Sequence, residues 1–220
     1  MYEKYVKRFF DIILCLFALV VLSPLFVITA IAIKISSPGS VFYYSDRAGK
    51  NKAPFHFYKF RSMHNVGDKY KQKDLYTADT ERLFVVGRII RKLKIDELPQ
   101  LINVIKGNMS IVGPRPMPMS SVDNQYCGKY SDILKVRPGL TSAASLYDYT
   151  VGESFSNDEE KYRKIVVPKK LELELLYLKK QGFIYDTSLV FRTIKTIILV
   201  LFGKTRWIEV PELKEIHNNE

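Results

Sequence analysis

Twenty-two consecutive uncharged residues, Ile12 to Ile33 (IILCLFALVVLSPLFVITAIAI), constrain this chain more than any other feature. As a helix they would extend roughly 33 Å, against a hydrocarbon core of about 30 Å. A cleaved secretory signal is the rival reading, because Ala30-Ile31-Ala32 mimics a small-residue cleavage site. The run is too long for a signal core, and export would carry the basic remainder outward. A membrane anchor is therefore the expectation.

Its orientation is less simple. Lys4, Lys7 and Arg8 precede the run, and the chain after it is also strongly basic. Both flanks ask for the cytoplasmic side, which one straight span cannot satisfy. Ser23-Pro24 lies at the centre of the run. Proline lacks an N–H and clashes with the carbonyl of Val20, so a kink is expected there, and the Ser23 hydroxyl can bond back to an upstream carbonyl. A sharp break would give a re-entrant hairpin. A kinked spanning helix is the alternative, since membrane helices tolerate proline, and the residues alone leave both open.

The remainder is long enough for one folded domain: the chain has 220 residues, 47% hydrophobic and 26% charged, which excludes a disordered chain. A net charge of +11 points to an anionic partner such as phosphate groups, nucleic acid or an acidic membrane surface. Cys15 and Cys127 form no disulfide framework, and His56, His64 and His217 have no ligand spacing with them. No zinc site is read.

Ser36 to Ser40 (SSPGS) breaks the chain after the anchor. Val41–Tyr44 and Pro54–Phe60 read as two strands around a loop with Gly49 and Asn51. Residues 66–80 are polar, a helix or an ordered loop. Glu81 to Leu93 has a helical pattern, and Leu98, Leu101, Ile102 and Ile105 recur as one helix face. In that second helix Asp96 is the expected N-cap, Pro99 sits in the first turn and Gly107 is the stop. Residues 148–160 are acidic and read as a loop. Pro168 opens a Leu- and Glu-rich helix ending near Gly182. Asp186 to Phe202 is amphipathic, with Val190, Ile194, Ile197, Ile198 and Leu201 on one face. It suits either a membrane interface or a protein core. Gly203-Lys204-Thr205 imitates a P-loop end, but Ile198 stands where the upstream glycine is needed.

Chemistry concentrates around Asp96-Glu97. Lys59 and Arg61 close the second strand, Arg88 and Arg91 lie three apart on one helix, and Arg115 is held between Pro114 and Pro116. Such cations suit phosphate, and the flanking prolines limit the freedom of Arg115. The two acids have three readings. They can be helix caps worth about 1 kcal/mol each. They can be Mg²⁺ ligands that share the ion with substrate phosphates. They can also divide the work, one as nucleophile on phosphorus and the other on the metal.

A set of motifs makes the chain recognisable. It includes Lys7-Arg8-Phe9-Phe10-Asp11, Ser23-Pro24, Ser37-Pro38-Gly39, Tyr58-Lys59-Phe60-Arg61-Ser62-Met63 and Gly87-Arg88. Arg91-Lys92, Asp96-Glu97-Leu98-Pro99-Gln100-Leu101, Gly107-Asn108-Met109-Ser110, Val112-Gly113-Pro114-Arg115-Pro116 and Arg137-Pro138-Gly139-Leu140-Thr141 follow. The chain resembles the bacterial sugar transferases of the monotopic phosphoglycosyl transferase family in their small single-domain form, well over residues 4 to 141 and loosely beyond.

The resemblance implies transfer of a phospho-sugar from a UDP-sugar to polyprenol (undecaprenyl) phosphate, starting glycan assembly. It implies that Asp96 attacks the sugar-bearing phosphorus, that UMP leaves and that a phospho-sugar aspartate forms. Glu97 would be a Mg²⁺ ligand beside Asp96, and Lys59, Arg61, Arg91 and Arg115 would bind phosphate, with Arg88 as a further candidate. The implied fold is α+β. Residues 1–36 form a re-entrant membrane helix-break-helix at Ser23-Pro24. Residues 37–220 form a small, mostly helical cytosolic catalytic domain with a β-hairpin and interfacial amphipathic helices. The implied location is the cytoplasmic face of a bacterial inner membrane, with membrane lipids as partners. Many members continue Pro-Gly-Leu-Thr with Gly and, three residues on, Gln; here Thr141 is followed by Ser142, Ala143, Ala144 and Ser145. No specificity is carried over through that segment.

Two other classes compete. A membrane phosphatase or pyrophosphatase would use the same aspartate, but no separate water-activating base stands out. A membrane-tethered polyanion binder would show an aromatic-interleaved basic stripe or a helix-turn-helix, and neither is evident, so no nucleic acid is expected as partner. The sequence assigns no oligomeric state.

Overall fold

The computed structural model describes residues 2–64, 82–155, 158–202 and 210–217. The polar stretch 66–80, residue 81 and the P-loop imitation at 203–205 lie outside the described residues.

A π-helical turn, Tyr2–Val6, leads into α1, Lys7–Ser36, which carries Pro24 in its interior. The segment is helical without interruption, so the expected helix-break-helix is one helix in the structure. The reason is local. Pro24 cannot bond the carbonyl of Val20, and the Ser23 hydroxyl donates to that same oxygen at 2.8 Å. Along α1, Lys7, Asp11, Cys15, Thr29 and Ile33 are buried on one side while Phe17, Val20, Val21, Ile28 and Ile35 are exposed.

The predicted hairpin is present: β1, Phe42–Ala48, pairs antiparallel with β2, Pro54–Phe60. Helix α2 covers Val85–Lys92. Lys94 then adopts φ 57°, and Ile95–Glu97 winds as a 3₁₀ turn ahead of α3, Gln100–Lys106. Asp96 is thus not the N-cap of α3, as the sequence suggested; Pro99 occupies that place. The left-handed turn at Lys94 winds a separate turn first, and the acids sit there. Gly107, at φ 88°, ends α3 as expected.

Strand β3, Ser110–Val112, pairs in parallel with β4, Gly139–Thr141, across α4, Met119–Gln125, and a 3₁₀ stretch, Gly128–Lys135. The two motifs Val112-Gly113-Pro114 and Arg137-Pro138-Gly139 meet here backbone to backbone. A Cβ on Gly139 would lie 2.1 Å from the Gly113 nitrogen, so no side chain fits.

Helix α5, Ala143–Thr150, is capped by Ser142, whose hydroxyl accepts from the Ser145 N–H. The acidic region expected as a loop from 148 is therefore helical at its start. Next come α6, Glu159–Lys161, a π-helical turn Tyr162–Val166, and α7, Val167–Lys180, with Pro168 in its first turn. Then follow α8, Phe183–Leu201, and α9, Glu212–His217. The architecture is α+β and mostly helical, with two small two-stranded sheets among the described residues.

Packing ties α1 to this assembly at both ends. In its first half and at its middle, Cys15, Ala18, Leu19 and Leu22 meet Phe55, Phe57, Leu101, Val104 and Met109. Near its finish, Phe26 and Ile33 meet Phe60, Phe84 and Ile90. The polar residues of the first motif lock the same docking. Lys7 pairs with Asp186 on α8 and donates to the Tyr177 hydroxyl at 2.9 Å. Arg8 donates to the Val104 and Ile105 carbonyls, satisfying the open end of α3. Asp11 accepts from the Ser110 hydroxyl at 2.7 Å and the Ile111 N–H at 3.0 Å.

The face expected on α8 divides. Asp186, Leu189 and Thr196 are buried, whereas Phe191, Ile194, Ile198 and Leu201 are exposed. A core helix turns its apolar side inward. Here a large part of that side faces out, which separates α8 from the core reading.

Candidate active site

Three chain segments converge on the acidic pair. Strand β2 ends by delivering Lys59, the 3₁₀ turn presents Asp96 and Glu97, and the turn after β3 presents Arg115. Lys59 Nζ lies 2.8 Å from Glu97 Oε1 and 3.8 Å from Asp96 Oδ2. Arg115 reaches Glu97 Oε1 at 3.3 Å. Glu97 is the hub, and two cations grip one of its oxygens.

The two acids differ electrostatically. Burial pushes the Asp96 carboxyl up to about 6; Lys59 opposes that shift and the neighbouring charge of Glu97 adds to it. Burial also works against the Glu97 charge, but Lys59, Arg115 and Lys94 outweigh it and hold Glu97 well below the usual carboxylate range. Asp96 is only 4% exposed, and its Oδ1 is buried without a hydrogen-bond partner. A buried, unpartnered carboxylate oxygen is costly, and functional sites are where such costs collect.

The other predicted cations separate. Arg91 lines the cavity next to the pair and acts on the charge of Asp96. Arg88 is exposed on α2 and is not among the cavity-lining residues. Arg61 has other partners here: its guanidinium donates to the Pro38 carbonyl at 2.6 Å and the Ser37 carbonyl at 2.7 Å, just past α1. It is buried and clasps the chain at the end of α1.

Beside the acids opens a cavity of about 640 Å³. Arg91, Lys94, Glu97, Arg115, Asp148 and Tyr162 supply polar groups to its wall, and Leu98, Leu101, Ile111, Val190, Ile194 and Ile197 supply apolar ones. A phosphate-bearing molecule with a hydrocarbon part suits such a lining.

Several of these residues escaped sequence reasoning. Glu174, in the middle of α7, accepts from the Arg115 backbone N–H at 3.1 Å and from the Tyr126 hydroxyl at 2.9 Å. Its only signal is a carboxylate flanked by the buried Leu173 and Tyr177. Asp148 bonds the Tyr162 hydroxyl and lies 2.8 Å from Lys170 Nζ. Burial raises its carboxyl, but Lys170 and Tyr162 hold it below the ordinary value. Arg47 donates to the Pro116 carbonyl, and burial beside Arg115 pulls its guanidinium down to about 10.

The donor set can be tested against Mg²⁺. Among the described residues no group of three His, Cys, Asp or Glu side chains forms a metal cage. Two adjacent carboxylates, one with the unpartnered Asp96 Oδ1, fit an ion that keeps waters and borrows substrate phosphates.

Residues 2–200 match the family described as bacterial sugar transferase. The chain belongs to that family. Among similar transferases is the UDP-N-acetylgalactosamine-undecaprenyl-phosphate N-acetylgalactosaminephosphotransferase of Aeromonas hydrophila, 37% identical over 88% of this chain and 44% of the relative. The exopolysaccharide production protein ExoY of Sinorhizobium fredii is 34% identical over 88% of this chain and 85% of its own length. The UDP-glucose:undecaprenyl-phosphate glucose-1-phosphate transferase of Escherichia coli is 34% identical over 87% of this chain and 40% of its own. The chain thus spans less than half of the first and third of these relatives. It spans most of the second, so length varies within the bacterial sugar transferases while the matched region is shared.

Proposed function

We propose that this bacterial sugar transferase moves a sugar-1-phosphate from a UDP-sugar to polyprenol (undecaprenyl) phosphate, releasing UMP and starting glycan assembly. The observation that carries the reading is Asp96: buried, with Oδ1 unpartnered, beside Lys59 and next to Glu97, which lines a cavity with polar and apolar walls.

In the first half-reaction an Asp96 oxygen forms a bond to the sugar-bearing phosphorus. The bond from that phosphorus to the bridging oxygen breaks, and UMP leaves with the electron pair. In the second, an oxygen of polyprenol phosphate attacks the same phosphorus and Asp96 is released. The depressed Glu97 stays ionised, which suits a Mg²⁺ ligand; the ion would offset phosphate charge. Lys59 and Arg115, already fixed beside Glu97, are placed to do the same from the protein side. Glu174 keeps the Arg115 backbone in position.

The same reading makes α1 re-entrant, with both ends on the cytoplasmic side of a bacterial inner membrane. What supports it is the docking described above: Arg8 and Asp11 near one end and Ser37-Pro38 past the other all bind the one domain. The exposed apolar faces of α1 and α8 would meet lipid, which lets the cavity receive a lipid phosphate at the interface.

The test is UMP release by purified protein in detergent with UDP-sugars, Mg²⁺ and polyprenol phosphate. Asp96→Asn is expected to abolish it, and normal turnover by that variant would remove the covalent mechanism. Single cysteines near Lys4 and Ser36 should label from the same side of the membrane; labelling from opposite sides would make α1 a spanning helix.

A further inference from the structure

Lys94 is a lysine in a backbone conformation that side-chain-bearing residues seldom adopt, φ 57° and ψ 17°, two positions before Asp96. Its ammonium does not rest on the adjacent carboxylates. It sits over the Tyr149 ring, 4.6 Å from the centroid. The Tyr149 hydroxyl donates to the Lys92 carbonyl at 3.3 Å, so the ring is tied to the same turn that carries Lys94. Lys94 and Tyr149 both line the cavity, as do Arg91 and Lys92.

We propose that Lys94 binds the phosphate of the departing nucleoside monophosphate, with the Tyr149 ring holding its ammonium in place when that phosphate is absent. This rests on the transferase reading above and assigns a residue to the leaving group. Glu97 already has Lys59 and Arg115 as partners, so those two cations stand over the carboxylate pair. When the bond between the two phosphorus atoms' bridging oxygen and the attacked phosphorus breaks, the electron pair stays on that oxygen, and the departing phosphate gains negative charge. A further cation is needed there. A lysine serves as a point charge that can turn towards it without a planar fork to align. A cation over an aromatic face is held loosely enough for a phosphate to draw it away.

The experiment measures binding of UMP and of uridine to the full-length protein in detergent, beside UMP release in turnover. Lys94→Gln should weaken UMP binding about tenfold, the scale of one lost charge-assisted contact. Uridine, which lacks the phosphate, should bind that variant as it binds the wild type. Lys94→Arg should recover most of the UMP affinity, and Tyr149→Leu, which removes a contact made only in the phosphate-free state, should not weaken it. Equal UMP binding by Lys94→Gln and wild type would overturn the assignment, as would an equal loss for uridine. Failure of the transferase reading shows separately, as no UMP release by the wild type with any UDP-sugar.

Discussion

Glu174 accepts a hydrogen bond from the backbone N–H of Arg115 at 3.1 Å, joining the middle of α7 to the Pro-Arg-Pro turn. Burial raises the Glu174 carboxyl, and only its bonds to Tyr126 and Arg115 and the charges of Lys170 and Arg115 oppose that. Glu174→Ala would leave the buried Arg115 N–H unmet, at about 1–3 kcal/mol of stability, while the Tyr126 hydroxyl keeps its bond to the Arg115 carbonyl. Glu174→Gln retains an acceptor and should lose less. Thermal melting together with the KM for the sugar nucleotide checks this: we expect both variants to melt earlier and the alanine variant to show the larger rise in KM.

Lys59 and Arg115 share one oxygen of Glu97, so their removal should cost turnover more than folding. Lys59→Ala and Arg115→Ala are each expected to lower kcat about 10²-fold, the scale on which a positioned transition-state donor acts. Arg115→Lys should not restore full activity, because an ammonium lacks the guanidinium's reach to two oxygens. Single-turnover UMP release measures both effects.

Arg61 gives the opposite expectation. Its bonds go to the Ser37 and Pro38 carbonyls, so Arg61→Lys should reduce thermal stability in detergent while leaving the KM for the sugar nucleotide unchanged. A large KM change with unaltered melting would return Arg61 to the phosphate site.

The depressed carboxyl of Asp148 has a consequence for stability against pH. Its folded value lies below the ordinary one of 3.8, so its contribution is present above that value and is lost as pH falls through the folded value. Asp148→Asn should therefore flatten the acid side of the stability profile below about pH 4. Melting temperatures recorded across that range, for wild type and variant, test it.

Ser23 and Pro24 should behave as a coupled pair, since the hydroxyl fills the vacancy that proline leaves at the Val20 carbonyl. Ser23→Ala alone should destabilise the protein in bilayers, where no water replaces the lost bond. In a Pro24→Ala background the backbone N–H takes over, and the serine should matter less. A double-mutant cycle on thermal stability reads this as non-additivity.

What the sequence disclosed followed the strength of local signals. The hairpin was legible from aromatic and β-branched runs, Gly107 from its place after α3, and Pro168 from its place at the start of α7. The apolar length of α1 was plain, and so was the conjunction of Asp96, Glu97, Lys59 and Arg115. Asp96 was misplaced as a cap because the left-handed turn at Lys94 is a tertiary choice that residue preferences do not encode. The hold of Arg61 on two carbonyls was not legible, because a motif arginine looks the same whether it binds a phosphate or two carbonyls. Glu174 and Asp148 were missed because their partners lie far away in the chain, at Arg115 and Lys170, and no periodicity connects them.

The grip on α1 at both ends bears on how the protein could be re-engineered. A helix held only at one end behaves as a leash, and its length can be changed freely. Here Arg8 clasps the close of α3 while Arg61 clasps the exit of α1, so the helix is a fixed strut. Inserting or deleting residues between them would throw one clasp out of register, and swapping in a generic anchor would remove both. The seat of α1 against the domain is written into the spacing of two arginine clasps.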